Sequence, residues 1–491
     1  MYERSSGILL PVSCLPGRYG IGDFGLEAYR FVDFLASAGQ KFWQILPLTI
    51  PDNTGSPYSS LSALAGNWLL ISPELLMKAG LIDRLPKKQP GGRVDYSRSW
   101  VQKSRLLWRS FSYFHKHASR QQKKRFAAFQ KRERPWLTNF GLFMAVKDWF
   151  HGKPWYTWPA PLARLQRAAL KTWTRKLITR IPYHTYCQWI FFEQWRALKQ
   201  YANRKGIRII GDLPFFVTHD SVDVWENQQL FLLMAKGQPR YISGVPPDYF
   251  SNRGQLWNDP QYNWRSLRTS GFRWWVERVR KAMELYDIVR LDHFRGFRAI
   301  WFIKRGSKTA KKGRWVSVPS QALFKILRKK LGKLPLIAED LGVITNDVNL
   351  LRKQLGFPGM RVLQFAFSGD PNNYHLPEKM NLNSIAYTGT HDNDTARGWI
   401  EQSGKPRQRK NALAYAKATK KNFACKLIEI GMHTRAHTFI APMQDILNLG
   451  SEARMNKPST KRGNWSWRLR PNMLTPALAK RLKTLTKKAG R

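Results

Sequence analysis

Acidic residues are scarce in this chain: 32 Asp and Glu stand against 83 Lys and Arg in 491 residues, a formal charge of +51. The excess is local. Residues 101–200 carry 21 basic and 3 acidic side chains, and residues 401–491 carry 21 and 4, while the remainder lies closer to balance. Such segments read either as solvated helix faces or as surfaces for an anionic polymer. No aromatic RNA-binding signature, zinc-finger spacing or glycine clamp accompanies them, so no specific nucleic-acid partner is expected.

Cysteine is almost absent. Cys14, Cys187 and Cys425 are odd in number and far apart, which excludes a disulfide framework and a zinc-type ligand set and points to reduced thiols in a cytoplasmic setting. No metal and no cofactor is expected. Long apolar runs are missing too: no stretch of 18 apolar residues occurs, so no membrane-spanning helix is expected. The opening "MYERSSGILLPVSC" has Glu3 early and no long apolar core, a poor signal peptide.

Apolar and aromatic residues are plentiful. At 43% hydrophobic, with 21 Trp, 17 Tyr and 27 Phe, the chain can build a large core. Eight short apolar runs punctuate it: 7–13, 42–48, 207–217, 287–294, 334–342, 361–367, 384–394 and 438–447. Several are continuous rather than alternating, as strands covered on both faces are. Helix-like segments such as "GLEAYRFVDFLASAG" and "FRWWVERVRKAMELY" separate most of them. Eight such alternations predict an α/β fold, a closed (β/α)8 TIM barrel forming a single catalytic unit over residues 1–491.

The spacing adds two insertions. Residues 50–205, between the second and third strands, are rich in Arg, Lys and Trp at helical spacing and read as helical. Residues 220–270, between the third and fourth, contain "SGVPPDYFSNRGQLWNDPQYNW" and read as an ordered loop region able to cover a substrate. Only some 44 residues follow the eighth run, too few for a C-terminal β-sandwich of roughly 100 residues.

Four of the runs end in charge. The third closes on Asp212, the fourth on Arg290 and Asp292 in "IVRLDHFRGF", the fifth on Glu339 and Asp340, the seventh on His391, Asp392 and Asp394. One carboxylate at a strand end is an ordinary helix cap, and Asp340 and Asp394 are read that way. Asp292, Glu339 and Asp392, on the fourth, fifth and seventh runs, are harder to read so, because strand C-termini of such a barrel open into its active site. Converging carboxylates are the equipment of glycosidic-bond cleavage: one attacks the anomeric carbon, the other protonates the departing oxygen. Arg290 lies on the same side of its strand as Asp292 and is expected to hold its pKa down, while the apolar run before Glu339 is expected to raise that residue's.

These motifs, with "GSPYSSLSALAGN", "GDLPFFVTHDSVDVW", "GQLWNDPQY", "IAEDLGVIT", "YTGTHDNDT" and "LGSEARMNKP", make the chain resemble the 4-α-glucanotransferases (amylomaltases, disproportionating enzymes) of the α-amylase clan over nearly its whole length. The resemblance implies Asp292 as nucleophile, Glu339 as acid/base and Asp392 as stabiliser of the distorted sugar. It implies contacts from Arg290 and His391 to the nucleophile and sugar hydroxyls, and it matches Asp212, Ser56, Tyr58, Tyr249, Gln255 and Trp257 to groove-lining positions. His293 is read either as a further substrate contact or as a hydrogen-bonding residue of the barrel. The implied activity is retaining transfer of α-1,4-glucan segments to the 4-hydroxyl of glucose or a maltooligosaccharide. An amylase-type hydrolase is the alternative, and a basic protein binding an anionic polymer a more distant one. The expected partners are α-1,4-glucans, with no membrane, in a monomer or homodimer.

If the charge only solvates helices, transfer between neutral glucans should barely depend on salt. Retention on DNA or polyphosphate should then be weak and lost between roughly 50 and 200 mM salt. Sub-micromolar binding of either polymer at about 200 mM salt, read by fluorescence anisotropy, would overturn this.

Overall fold

The computed structural model describes residues 4–52, 54–88, 92–247, 251–460 and 462–491. Its strands, in chain order, are β1 (Ser5–Leu9), β2 (Phe42–Gln44), β3 (Arg208–Leu213), β4 (Tyr241–Val245), β5 (Gln255–Pro260), β6 (Ile288–Leu291), β7 (Ala299–Lys304), β8 (Arg314–Ser317), β9 (Leu336–Ala338), β10 (Gly359–Val362), β11 (Ser384–Tyr387) and β12 (Thr438–Pro442). Eight of them close into a barrel in the order β1-β12-β11-β10-β9-β6-β3-β2, every neighbouring pair parallel.

The apolar runs are continuous because both strand faces are buried. Leu9, Phe42, Ile210, Ile337, Met360, Ile385, Tyr387 and Ile440 meet in one cluster. Their neighbours Ile8, Trp43, Ile209, Leu336, Ala386 and Phe439 join the core shared with the helices. The helix Leu26–Ser37 shows how these are made: Ala28, Phe31, Val32 and Leu35 fall at helical spacing and are buried. Gly211 on β3 is required by contact. A Cβ there would come within 2.0 Å of the Tyr286 ring, whose hydroxyl accepts from the Leu48 amide at 3.1 Å.

Between β2 and β3 lie the long helices Tyr96–His117, Arg120–Trp149 and Ile181–Arg204. Two glutamines on the last of these grip the loop after β2. The Gln188 side chain bonds both backbone groups of Gly66, at 2.7 and 2.9 Å. Gln194 does the same to Ser72, at 2.7 and 3.2 Å. Lys103, only 1% exposed, reaches Asp23 at 3.0 Å and ties the first helix to the loop after β1. The basic excess sits outside these contacts. The helix Arg167–Lys176 buries no residue, and Lys176 lies over the rings of Trp149 and Trp173 at 4.0 and 4.7 Å.

The segment read as ordered loop, 220–270, contains β4 and β5. With β7 and β8 they form a four-stranded antiparallel sheet ordered β5-β4-β7-β8. Its sequence is loop-like because Pro, Gly and Asn interrupt the strands, which are irregular, with a register shift between Ile242 and Gly244 and a left-handed Asn258 at φ 66°. Among the described residues after Pro442 there is no further strand; the longest element is the helix Pro476–Lys488.

Candidate active site

The C-terminal ends of β3, β6, β9 and β11 bring the polar residues together. Arg290, a charged residue in an apolar strand, is 96% buried and needs partners. Its Nη1 donates to Asp212 Oδ2 at 2.6 Å and its Nη2 lies 3.1 Å from Asp292 Oδ1. The Tyr58 hydroxyl donates to the same Asp212 oxygen at 2.6 Å. That tyrosine ring stacks on His391 at 5.2 Å, and His391 Nε2 lies 3.4 Å from Asp392 Oδ2. Ser56 Oγ accepts from the Tyr58 amide at 3.3 Å and shapes the turn that presents this ring.

Glu339 takes its place from the strand register. Leu291 pairs with Ala338 across β6 and β9, so Asp292 and Glu339 follow on adjacent strand ends. The backbone amides of His293 and Leu341 donate to its two carboxylate oxygens at 2.7 and 2.9 Å. His293 reaches this position with left-handed backbone, φ 50°. Burial pushes its imidazole down to about 3, so the ring is neutral, and its Nε2 has no hydrogen-bond partner among the described residues. The ring edge meets Trp257 at 5.0 Å. Trp257 Nε1 in turn donates to Gln255 Oε1 at 3.3 Å. Tyr249 lies outside the described residues.

Burial raises both central carboxyls. It lifts Asp292 to about 7 although Arg290 opposes it, with Asp212 and Asp392 adding to the rise. The expectation that Arg290 would hold Asp292 below its ordinary value is therefore corrected: the guanidinium is shared with Asp212, and desolvation outweighs its share. Burial lifts Glu339 to about 8, against Arg290 and the two backbone donors, with the Asp292 charge adding. Asp292 is nevertheless the easier to ionise, being bonded to Arg290 and 27% open at its side chain. The two groups titrate as a pair, and the direct Arg290 contact favours Asp292 as the one that ionises.

Two carboxylates read as helix caps are not caps. Asp340 accepts from the Met360 amide at 2.7 Å and pairs with Arg352 and Arg361, each at 3.1 Å; the following helix begins only at Asn346. Asp394 accepts from Ser451 at 2.8 Å, and the cap beside it is Thr395. Sequence reasoning also passed over the residues that hold Asp392. Asn456 donates to its Oδ1 at 2.6 Å and Arg454 to its backbone carbonyl at 2.8 Å. The stretch "EARMN" was noticeable as polar residues near the end of the last strand, but nothing local ties it to residue 392.

A parallel eight-stranded barrel whose adjacent strand ends present two carboxyls, one of them bonded to a buried guanidinium, defines a class, the barrel enzymes equipped for glycosidic bonds. Residues 10–475 match the 4-alpha-glucanotransferase family, and the chain belongs to it. The 4-alpha-glucanotransferase of Clostridium butyricum is 42% identical over 98% of this chain and 99% of its own. That of Thermus thermophilus is 42% identical over 99% of each. The structure superposes on amylomaltase from Streptococcus agalactiae, solved in complex with acarbose, with a TM-score of 0.95 and 40% identity over the whole of both chains. Amylomaltase from Corynebacterium glutamicum, 18% identical, shares the fold at a TM-score of 0.78.

A carboxyl whose folded pKa is raised binds its proton more tightly folded than unfolded, so its contribution to stability is lost as pH rises toward the folded value. For Glu339 that window runs from 4.5 to about 8. Glu339→Gln removes the titration. Its melting temperature relative to wild type should therefore become more favourable from the acidic to the alkaline end of that window. A difference that does not change with pH, measured by calorimetry, would contradict the raised value.

Proposed function

We propose that the chain cleaves α-1,4-glucans and transfers the released segment to the 4-hydroxyl of glucose or another maltooligosaccharide, retaining anomeric configuration through a covalent intermediate. The observation that carries this reading is the unequal setting of the two carboxyls at the ends of β6 and β9: Arg290 bonds Asp292 directly, whereas Glu339 has no cation at bonding distance among the described residues and desolvation raises it. Glu339 gives its proton to the glycosidic oxygen as an Asp292 carboxylate oxygen bonds to the anomeric carbon. The C–O bond to the leaving glucan breaks, and that glucan departs with a free 4-hydroxyl. Glu339, now ionised, takes the proton of an incoming 4-hydroxyl, whose oxygen displaces Asp292 and restores both groups.

The remaining residues bind the sugar in the bond-cleaving subsite. Asp392, held by Asn456, accepts from sugar hydroxyls and strengthens those bonds as positive charge grows on the ring. Asp212, buried beneath the groove, serves the sugar through the two groups it holds, Arg290 and the Tyr58 hydroxyl. His391 and Tyr58 wall this side, while Trp257 and Gln255 from β5 line the other, with Ser56 and His293 behind them. Tyr249 belongs to the same groove by resemblance. The free thiols Cys14, Cys187 and Cys425 suit a cytoplasmic setting.

Maltotriose incubated with the pure protein should yield glucose and a ladder of longer maltooligosaccharides, resolved by chromatography. Maltose and glucose alone would mean that water, not sugar, resolves the intermediate. Asp292→Asn should fold and bind glucan, yet lose activity by several orders of magnitude, as loss of a covalent catalyst does. Near-normal turnover by this variant would remove Asp292 from the role.

A further inference from the structure

Transfer requires a second sugar, and none of the residues above holds it. Its 4-hydroxyl gives its proton to Glu339 and attacks the anomeric carbon on the face opposite Asp292, so the sugar enters beside Glu339. On that side the next barrel strand is β10, and the loop leaving it, residues 363–375, crosses the same end of the barrel.

That loop carries one exposed ring held in place from below. Asp340, next to Glu339, is buried and binds Arg361 Nη1 at 3.1 Å. Arg361 belongs to β10 and is 7% exposed; its guanidinium carbon lies 4.9 Å from the centre of the Tyr374 ring. Contacts thus run without a break from the residue beside Glu339 to Tyr374, which is 42% exposed. Both flanks of the tyrosine are pinned. Asn373 donates to the Phe365 carbonyl at 2.7 Å and accepts from the His375 amide at 2.9 Å. His375 Nδ1 accepts from the Val362 amide at 3.1 Å. The Tyr374 hydroxyl titrates above its ordinary value through partial burial and then the charge of Asp340, with Glu339 also contributing.

The part of this ring left open to solvent is fixed by Arg361 and by the His375 ring, 4.2 Å away between centres, and is suited to the flat C–H face of a pyranose. Little side-chain freedom is lost when the sugar binds. We propose that Tyr374 is the platform for the acceptor sugar, a glucose unit or the non-reducing end of a maltooligosaccharide, and sets acceptor affinity in the transfer step. This rests on the transfer reading above.

The test separates the two. Ladder formation by the wild type establishes transfer; its absence removes the reading and this proposal with it. Given transfer, α-maltosyl fluoride serves as donor, because it places no sugar beyond Glu339, and glucose or maltose is varied as acceptor. Tyr374→Ala should raise acceptor KM about threefold to tenfold, as expected for the loss of one aromatic contact. The KM and burst rate for fluoride release should stay as in wild type, and Tyr374→Trp should bring acceptor KM back down. An unchanged acceptor KM in Tyr374→Ala overturns the proposal. So does an equal loss in fluoride release, which would mean that the ring acts only by supporting Arg361 and Asp340.

Discussion

The guanidinium of Arg290 is the interaction on which the site depends. A cation inside a barrel is costly to desolvate and is stable only when its charge and its donors are matched. Asp212 supplies that match from the neighbouring strand β3, at 2.6 Å, and Asp292 from the end of Arg290's own strand, at 3.1 Å, and Tyr58 adds a donor to Asp212. The arrangement fixes the nucleophile candidate against its own strand. It also makes the two central carboxyls unequal: Asp292 is bonded to the cation, while Glu339 feels it only at a distance. The cation thereby favours the charged form of Asp292 more than that of Glu339, the kind of inequality that two-carboxylate chemistry on a glycosidic bond requires.

The scaffold around this centre is built to hold loops rather than strands. Barrel closure positions the four strand ends, but Tyr58, Trp257 and Asn456 arrive on connections. The loop bearing Tyr58 is clamped by amide side chains of the long helix Ile181–Arg204. Trp257 sits on a strand of the small antiparallel sheet, which gives its ring a fixed backbone. Asn456 follows the turn Ser451–Ala453, itself bonded to Asp394 through Ser451. Much of the basic charge lies elsewhere, on faces such as the helix Arg167–Lys176, none of whose residues is fully buried. The catalytic end of the barrel is thus electrostatically its own system.

By itself the sequence determined the barrel and the centre of its site. Strands buried on both faces must be continuously apolar, so eight runs such as "IVRL" and "SIAY" announced themselves. A charged residue inside such a run is too costly to be accidental, which singled out Arg290, Asp292 and Glu339. Arg361 in "GMRV" carried the same signal and was missed because no strand-end carboxylate follows it. Tertiary structure decided what depends on residues far apart in the chain. Asp340 reads as a cap until Arg352 and Arg361 are seen to meet it. The strands of 220–270 are too irregular, and too interrupted by Pro, Gly and Asn, to reveal a period, and they are completed by the pairing of β7 with β4. The net effect of Arg290 on Asp292 turns on how the guanidinium is divided with Asp212 and how much water burial removes. Neither quantity has a local signature, since both are properties of the closed barrel.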